Sequence, residues 1–128
     1  MALSRSPDRV LLLHNPRCSK SRAARALLEA RGIPFEDRLY LDAPLSREEL
    51  EDLRERLSRP PWEWLRRGEA VWRQLGLSQD SEPAALLDAM ASHPILMERP
   101  ILVLGDRAVV GRPTDAAAEF LDAVPGTP

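Results

Sequence analysis

Residues 9–41 read RVLLLHNPRCSKSRAARALLEARGIPFEDRLYL, and three segments of different character follow one another in them. Arg9 to His14 is short and rich in aliphatics, with Val10, Leu11, Leu12 and Leu13 in succession, and reads as a buried strand. Ser19 to Arg31 reads as a helix. Ala23, Ala24, Ala26, Leu27, Leu28 and Ala30 give it helix-forming character and an apolar face, and Gly32 followed by Pro34 is a stop signal. Phe35 to Leu41 is the next strand. Strand, helix and strand in roughly thirty residues make a βαβ unit, so the two strands are expected to be parallel, with a right-handed crossover.

Outward from this unit the chain changes character. Ser46-Arg47-Glu48-Glu49 is a capping box that opens a helix running to about Leu57. Pro60-Pro61 stops it and starts a short turn, Trp62 to Arg67. Glu69 to Leu75 reads as helical and is closed by Gly76. Glu82 to Ser92 is a further helix with Pro83 in its first turn, ended by Pro94. The block at about 46–92 is therefore a helical lobe, and it holds all three tryptophans, Trp62, Trp64 and Trp72. Ile101 to Leu104 and Arg107 to Val110 then flank Gly105-Asp106, a two-residue hairpin signal. Thr114 opens a last helix to about Leu121, and Val124 to Pro128 is a tail. This order gives a mixed sheet with helices packed on it, an α/β or α+β arrangement in one domain spanning residues 1–128.

A chain of 128 residues can bury one core without disulfides or structural metal. The formal net charge of −2 argues against broad nucleic-acid binding. Of 18 basic residues only Lys20 is lysine, so arginine is too abundant for its number to mean anything. Individual arginines have to be singled out by position. The apolar runs are too short to span a bilayer, and the run after Arg5, Asp8 and Arg9 is too short for the core of a signal peptide. Two histidines and one cysteine are too few for a usual zinc site, and one cysteine excludes an internal disulfide. A reducing cytoplasm is the simplest compartment.

The candidate chemistry lies in His14-Asn15-Pro16-Arg17-Cys18-Ser19-Lys20-Ser21-Arg22. Cys18 stands past a strand and at the start of a helix, where unpaired backbone N–H groups and partial positive charge favour a thiolate over a thiol. The same helix end suits an anion. A free cysteine is ordinarily an inert, buried residue, but a polar turn between Arg17 and Ser19 is a poor place for one. Ser19 and Ser21 suit hydrogen bonds to the sulfur or to a bound oxyanion, and equally suit helix capping. His14 suits tuning the cysteine or holding the loop, and His93 reads as structural. Arg99-Pro100 opens a strand and can be cis, while Arg112-Pro113 follows the hairpin. Guanidinium groups suit tetrahedral oxyanions if they converge, which spacing alone does not decide.

The segment His14-Asn15-Pro16-x-Cys18-x-x-Ser21-Arg22 resembles the active-site loop of the glutaredoxin-coupled arsenate reductases. The likeness continues through Leu65-Arg66-Arg67, through His93-Pro94-Ile95-Leu96-x-x-Arg99-Pro100-Ile101 and through Gly111-Arg112-Pro113, covering about residues 9–122. It implies a thioredoxin-like mixed four-stranded sheet flanked by helices, with the lobe at about 46–92 as an insertion. It also implies Cys18 as nucleophile, Arg66, Arg99 and Arg112 as oxyanion ligands, a cis Pro100, and His14, Ser21 and Arg22 as supporting residues. Arg67 beside Arg66 leaves room for a one-place shift. Arg17 and Lys20 make this loop more basic than in the best-known members.

The activity implied is reduction of arsenate through a Cys18–arsenate thiolester, with glutathione as co-substrate, glutaredoxin as partner and no bound cofactor or metal. Two electrons require two thiols and this chain holds one, so the other must be external. Relatives of this fold leave two alternatives: a glutathione-dependent reductase of another substrate, and an Spx-like transcription regulator. Ser21, three residues after Cys18, excludes the C-x-x-C switch of many such regulators.

Overall fold

The computed structural model describes residues 3–122. Strand β1 (Val10–His14) is buried along its whole length, because helices cover both faces of the sheet and it has a neighbour on each side. Helix α1 (Ser19–Ala30) carries the chain to β2 (Phe35–Leu39), which lies parallel to β1 with Val10 opposite Phe35 and His14 opposite Leu39. The strand expected over 35–41 ends at Leu39, whose carbonyl accepts from the N–H groups of both Asp42 and Ala43 and turns the chain away. Strands β3 (Ile101–Leu104) and β4 (Arg107–Val110) form the expected hairpin, with Gly105 at φ +57 in its turn. The sheet order is β2-β1-β3-β4, with β3 antiparallel to β1 and to β4. This is the mixed four-stranded sheet expected of a thioredoxin-like chain.

Between β2 and β3 stand α2 (Arg47–Leu57), α3 (Ala70–Leu75) and α4 (Pro83–Ser92), and α5 (Thr114–Asp122) follows β4. Ser46 and Glu49 close the capping box of α2 in both directions. Glu49 also takes two hydrogen bonds from Arg38, which ties β2 to α2. A 3-10 turn over Pro61–Trp64 overlaps the short turn expected over 62–67 and ends before it does. A second, Pro94–Leu96, is absent from the sequence reading. Pro94 cannot extend α4, but its fixed φ suits the first position of a new turn. The expected tail over 124–128 lies outside the described residues. No helix among those described is long and apolar enough to cross a membrane.

Alternation along the strands divides the core. Leu11, Leu13, Ile101 and Val103 pack with Leu50, Leu53, Trp64 and Leu87 of the helical segment. Val10, Leu12 and Leu102 point the other way, onto Ala24 and Leu28 of α1 and Ala117 and Leu121 of α5. Both sides exclude water from the central strands β1 and β3, while the edge strands β2 and β4 stay partly exposed.

Candidate active site

Strand register decides which residues meet. Leu13 pairs with Ile101 and Ile101 with Val110, so the chain leaves β1, enters β3 and leaves β4 at one end of the sheet. Residues 15–18, Arg99-Pro100 and Gly111-Arg112 are thereby gathered there, although nearly a hundred positions of sequence separate the first from the last. His14 pairs with Leu39, which brings Tyr40 to the same end.

Cys18 is the N-cap residue of α1, buried, with extended backbone and no hydrogen bond from its side chain to the helix. The loop before it is held by its own groups. Cys18 N–H donates to the Asn15 carbonyl at 3.0 Å, Arg17 N–H to Asn15 Oδ1 at 3.0 Å, and Arg22 Nη1 to the Pro16 carbonyl at 3.1 Å. Thus Arg22 braces the loop from outside, and the Arg17 and Lys20 side chains are exposed.

Ser21 is fully buried beneath this loop. Its Oγ accepts from Asn15 N–H at 3.0 Å and shares a 2.6 Å hydrogen bond with His14 Nδ1. Of the two roles open to His14 in the sequence, holding the loop is the one this geometry serves; Ser21, expected to bond the sulfur or an oxyanion or to cap the helix, is instead bonded to His14 and to the Asn15 amide. Burial pulls the His14 pKa below its usual 6.5, and the charges of Arg25 and Arg22 act in the same sense against Asp37. The unfolded chain therefore binds the proton first, and this histidine withdraws stability as pH falls below about 6.5. Ser21→Ala leaves Asn15 N–H and His14 Nδ1 buried without a partner. The expected cost is about 2 kcal/mol in denaturant unfolding, with faster hydrogen exchange at the Asn15 amide. Unchanged stability and exchange would show that water replaces the hydroxyl.

The arginines converge from three directions. Leu65 and Met97 form an isolated antiparallel bridge, with Arg66 N–H donating to the Leu96 carbonyl at 2.7 Å and Glu98 N–H to the Trp64 carbonyl at 2.9 Å. This clamp sets Arg66 beside Glu98. Glu98 Oε1 lies 3.9 Å from Arg66 Nε, 3.9 Å from Arg99 Nη1 and 3.6 Å from Arg112 Nη1. Arg66 is further held by Glu69 at 2.8 Å. Arg99 Nε and Nη1 are buried and find no hydrogen-bond partner among the described residues. Arg67 stacks its guanidinium 4.5 Å from the centre of the Trp62 ring, which itself packs on Trp72. The arginine that reaches Glu98 is therefore Arg66 and not its neighbour.

The Arg99-Pro100 bond is cis, and so is Arg112-Pro113. Gly111 N–H donates to the Pro100 carbonyl at 2.8 Å, and a Cβ on Gly111 would stand 3.0 Å from Pro100 Cγ and 3.1 Å from Leu102 Cδ1. Glycine lets the chain leaving β4 approach Pro100 closely and deliver Arg112 beside Arg99, and a side chain there would press on Pro100 and Leu102.

An open cleft of about 440 Å³ is lined by Arg66, Arg99, Arg112, Glu98, Arg67 and their neighbours. Cys18 does not line it; Tyr40 is near enough to Cys18 on one side and to Arg66 and Glu98 on the other to feel the charges of all three. Burial pushes the Tyr40 hydroxyl up to about 12, the charges of Cys18 and Glu98 push the same way, and Arg66 and Asn15 oppose them. The hydroxyl is buried without a hydrogen bond of ordinary geometry. Tyr40 and Glu98 escaped the sequence reading. Tyr40 could have been found as the chain's single tyrosine, standing directly after a strand parallel to β1. No three His, Cys, Asp or Glu side chains among the described residues gather closely enough to hold a metal ion.

Comparison with known proteins bears on the family and the fold. The family model of the ArsC family matches residues 13–120, which include Cys18 and all three arginines. An arsenate reductase of Neisseria meningitidis serogroup A is 44% identical over 108 residues, covering 83% of this chain and 92% of the relative. The uncharacterized protein YfgD of Escherichia coli K12 is 40% identical over 114 residues, 88% of this chain and 96% of its own. The solved structure of an arsenate reductase from Vibrio cholerae superposes with a TM-score of 0.83 at 39% identity, over 89% of this chain and 98% of that one. The motifs, the sheet and the relatives agree, and the chain belongs to the ArsC family, with its thioredoxin-like fold.

Proposed function

We propose that this chain is an arsenate reductase in which Cys18 is the nucleophile and an external thiol completes the reduction. The observation that carries the reading is the convergence of Arg66, Arg99 and Arg112 on one point, at the end of the sheet from which the Cys18 loop also emerges. Buried guanidinium N–H groups that lack an acceptor, as on Arg99, suit a tetrahedral oxyanion. The N-terminus of α1 favours negative charge on the sulfur and on whatever it attacks.

In the first step the Cys18 thiolate bonds to arsenic and one arsenate oxygen takes up protons and leaves as water. The three arginines offset the oxyanion charge as it gathers in the transition state. Arsenic is still As(V) in this thiolester. Glutathione supplies the second thiol: arsenic gains two electrons and departs as arsenite, and the two sulfurs lose them and join as a Cys18–glutathione disulfide. Glutaredoxin, recharged by glutathione, returns Cys18 to the thiol. The chain does this as one domain in a reducing cytoplasm and binds no cofactor of its own.

The test is arsenate-dependent NADPH oxidation with glutathione, glutathione reductase and glutaredoxin. Sustained turnover is expected with that set. Turnover only with thioredoxin and its reductase keeps the chemistry and replaces the donor. With folded, reduced protein, no arsenate turnover under either donor sinks the reading; reduction of a glutathione mixed disulfide would then move it to another thiol substrate.

A further inference from the structure

The three arginines do not face an empty basin. Glu98 already puts a carboxylate oxygen among them, at 3.6–3.9 Å from each guanidinium group, close enough for strong attraction and too far for a hydrogen bond. Arg99 keeps Nε and Nη1 unpartnered with this carboxylate beside it. The carboxylate is thus a counter-charge that does not consume the donors an oxyanion needs. Its position is built: Glu98 N–H is fixed to the Trp64 carbonyl, its Oε1 accepts from Arg99 N–H at 3.4 Å, and the chain is held before it by the Leu65–Met97 bridge and after it by the Pro100–Gly111 hydrogen bond. The side chain is 28% exposed, so it stands at the rim of the cleft and leaves its floor to Arg99.

The charges can be set against one another. Of the charged groups at the cleft, Glu98 is the carboxylate nearest all three of Arg66, Arg99 and Arg112, and Arg66 is also held by Glu69, so part of the positive charge a ligand would meet is already offset. Because the energy of a ligand beside a fixed carboxylate scales with ligand charge, the penalty from Glu98 is twice as large for the dianion as for the monoanion.

We propose that Glu98 is the specificity-determining residue of the arginine basin, its fixed carboxylate biasing the site toward singly charged tetrahedral oxyanions over doubly charged ones. This rests on the reading of the basin as an oxyanion site, and gives that site a charge preference. Glu98 takes no part in bond making; it acts on the field in which Arg66, Arg99 and Arg112 hold the ligand.

Perchlorate and sulfate are tetrahedral, inert to thiols under mild conditions and fixed at one and two negative charges, so they separate charge from shape. Their dissociation constants are measured by NMR titration of the arginine Nε–H signals, in the full chain and in Glu98→Gln and Glu98→Asp. Glu98→Gln is expected to tighten perchlorate about tenfold and sulfate on the order of a hundredfold, a selectivity change of about tenfold. Glu98→Asp keeps the charge and is expected to keep the wild-type preference. Equal tightening of both anions would mean a carboxylate that simply swings aside, and it overturns the proposal. So does weaker binding of sulfate in Glu98→Gln, which would make Glu98 a clamp that orders the arginines, and so does failure of every form to bind either anion. A shifted selectivity without arsenate turnover strikes the arsenate reading and leaves this one standing. Turnover without any shift does the reverse.

Discussion

Cys18→Ser is expected to lower arsenate turnover by at least about a thousandfold while leaving the fold intact. Removing a nucleophile abolishes the covalent route, and what survives is the acceleration due to binding alone. A serine oxygen also lacks the sulfur's redox chemistry: an arsenate ester of serine returns arsenate on hydrolysis, and no electrons pass. The substitution is structurally mild for two reasons. Cys18 holds its loop through backbone groups, with its N–H on Asn15 and its carbonyl receiving Arg22 N–H, and both survive the exchange. It is also the N-cap of α1 without a capping side-chain bond, a position where serine is among the favoured residues. Unfolding midpoints are therefore expected to be equal or slightly raised. Intact-mass spectra taken after arsenate and glutathione without glutaredoxin should show a glutathione adduct on the wild type and none on the variant. Substantial turnover in Cys18→Ser would assign the chemistry to another residue.

The order of strands and helices was legible because each element carries its own start and stop. The Ser46–Glu49 box, Gly76 at positive φ and the Gly105 turn act over four residues or fewer, within reach of a pattern. The turn after Leu39 and the 3-10 segment at Pro94 were missed because they depend on where the chain must go next, toward α2 in the first case and toward the Leu65–Met97 bridge in the second. The site divides in the same way. Cys18, Ser21 and His14 lie on one short stretch of sequence, from the end of β1 to the first turn of α1, and could be read from it. The arginines could be named from motifs, but their convergence is a property of register: Leu13 on Ile101 and Ile101 on Val110 bring residues 18, 99 and 112 to one end. Tyr40 and Glu98 carry no motif of their own, and their importance comes from the groups folded against them.

The largest effect on stability is expected at the other end of the sheet, from Asp52→Ala. Asp52 and Arg56 stand one turn apart on α2, 8% and 5% exposed, and pair at 2.7 Å. Arg56 also donates to the carbonyls of Leu3, Ser4 and Gly105, and Asp52 accepts from Leu3 N–H at 2.9 Å and from Arg5 at 3.1 Å. One buried pair therefore fastens the N-terminal segment and the β3–β4 turn to α2. Burial alone would push the Asp52 carboxyl upward, but the Arg56 hydrogen bonds, the Leu3 N–H and the charges of Arg56 and Arg5 outweigh it and hold the group below its usual range. Removing the carboxylate leaves the guanidinium buried and uncompensated, which costs about 3–5 kcal/mol and lowers Tm by about 10–20 °C. A depressed carboxylate pKa contributes stability that is present above the unfolded value near 3.8 and is lost as pH falls through the folded value. The gap between wild type and variant should accordingly be full at neutral pH and close in acid. Asp52→Leu combined with Arg56→Met removes both charges and should restore much of the loss, because the desolvation of both ions disappears with their attraction. Gly105 lies at the far end of β3 from Arg99, so below its melting point Asp52→Ala should keep the wild-type KM for arsenate. A raised KM in folded Asp52→Ala would show that the two ends of the sheet are coupled.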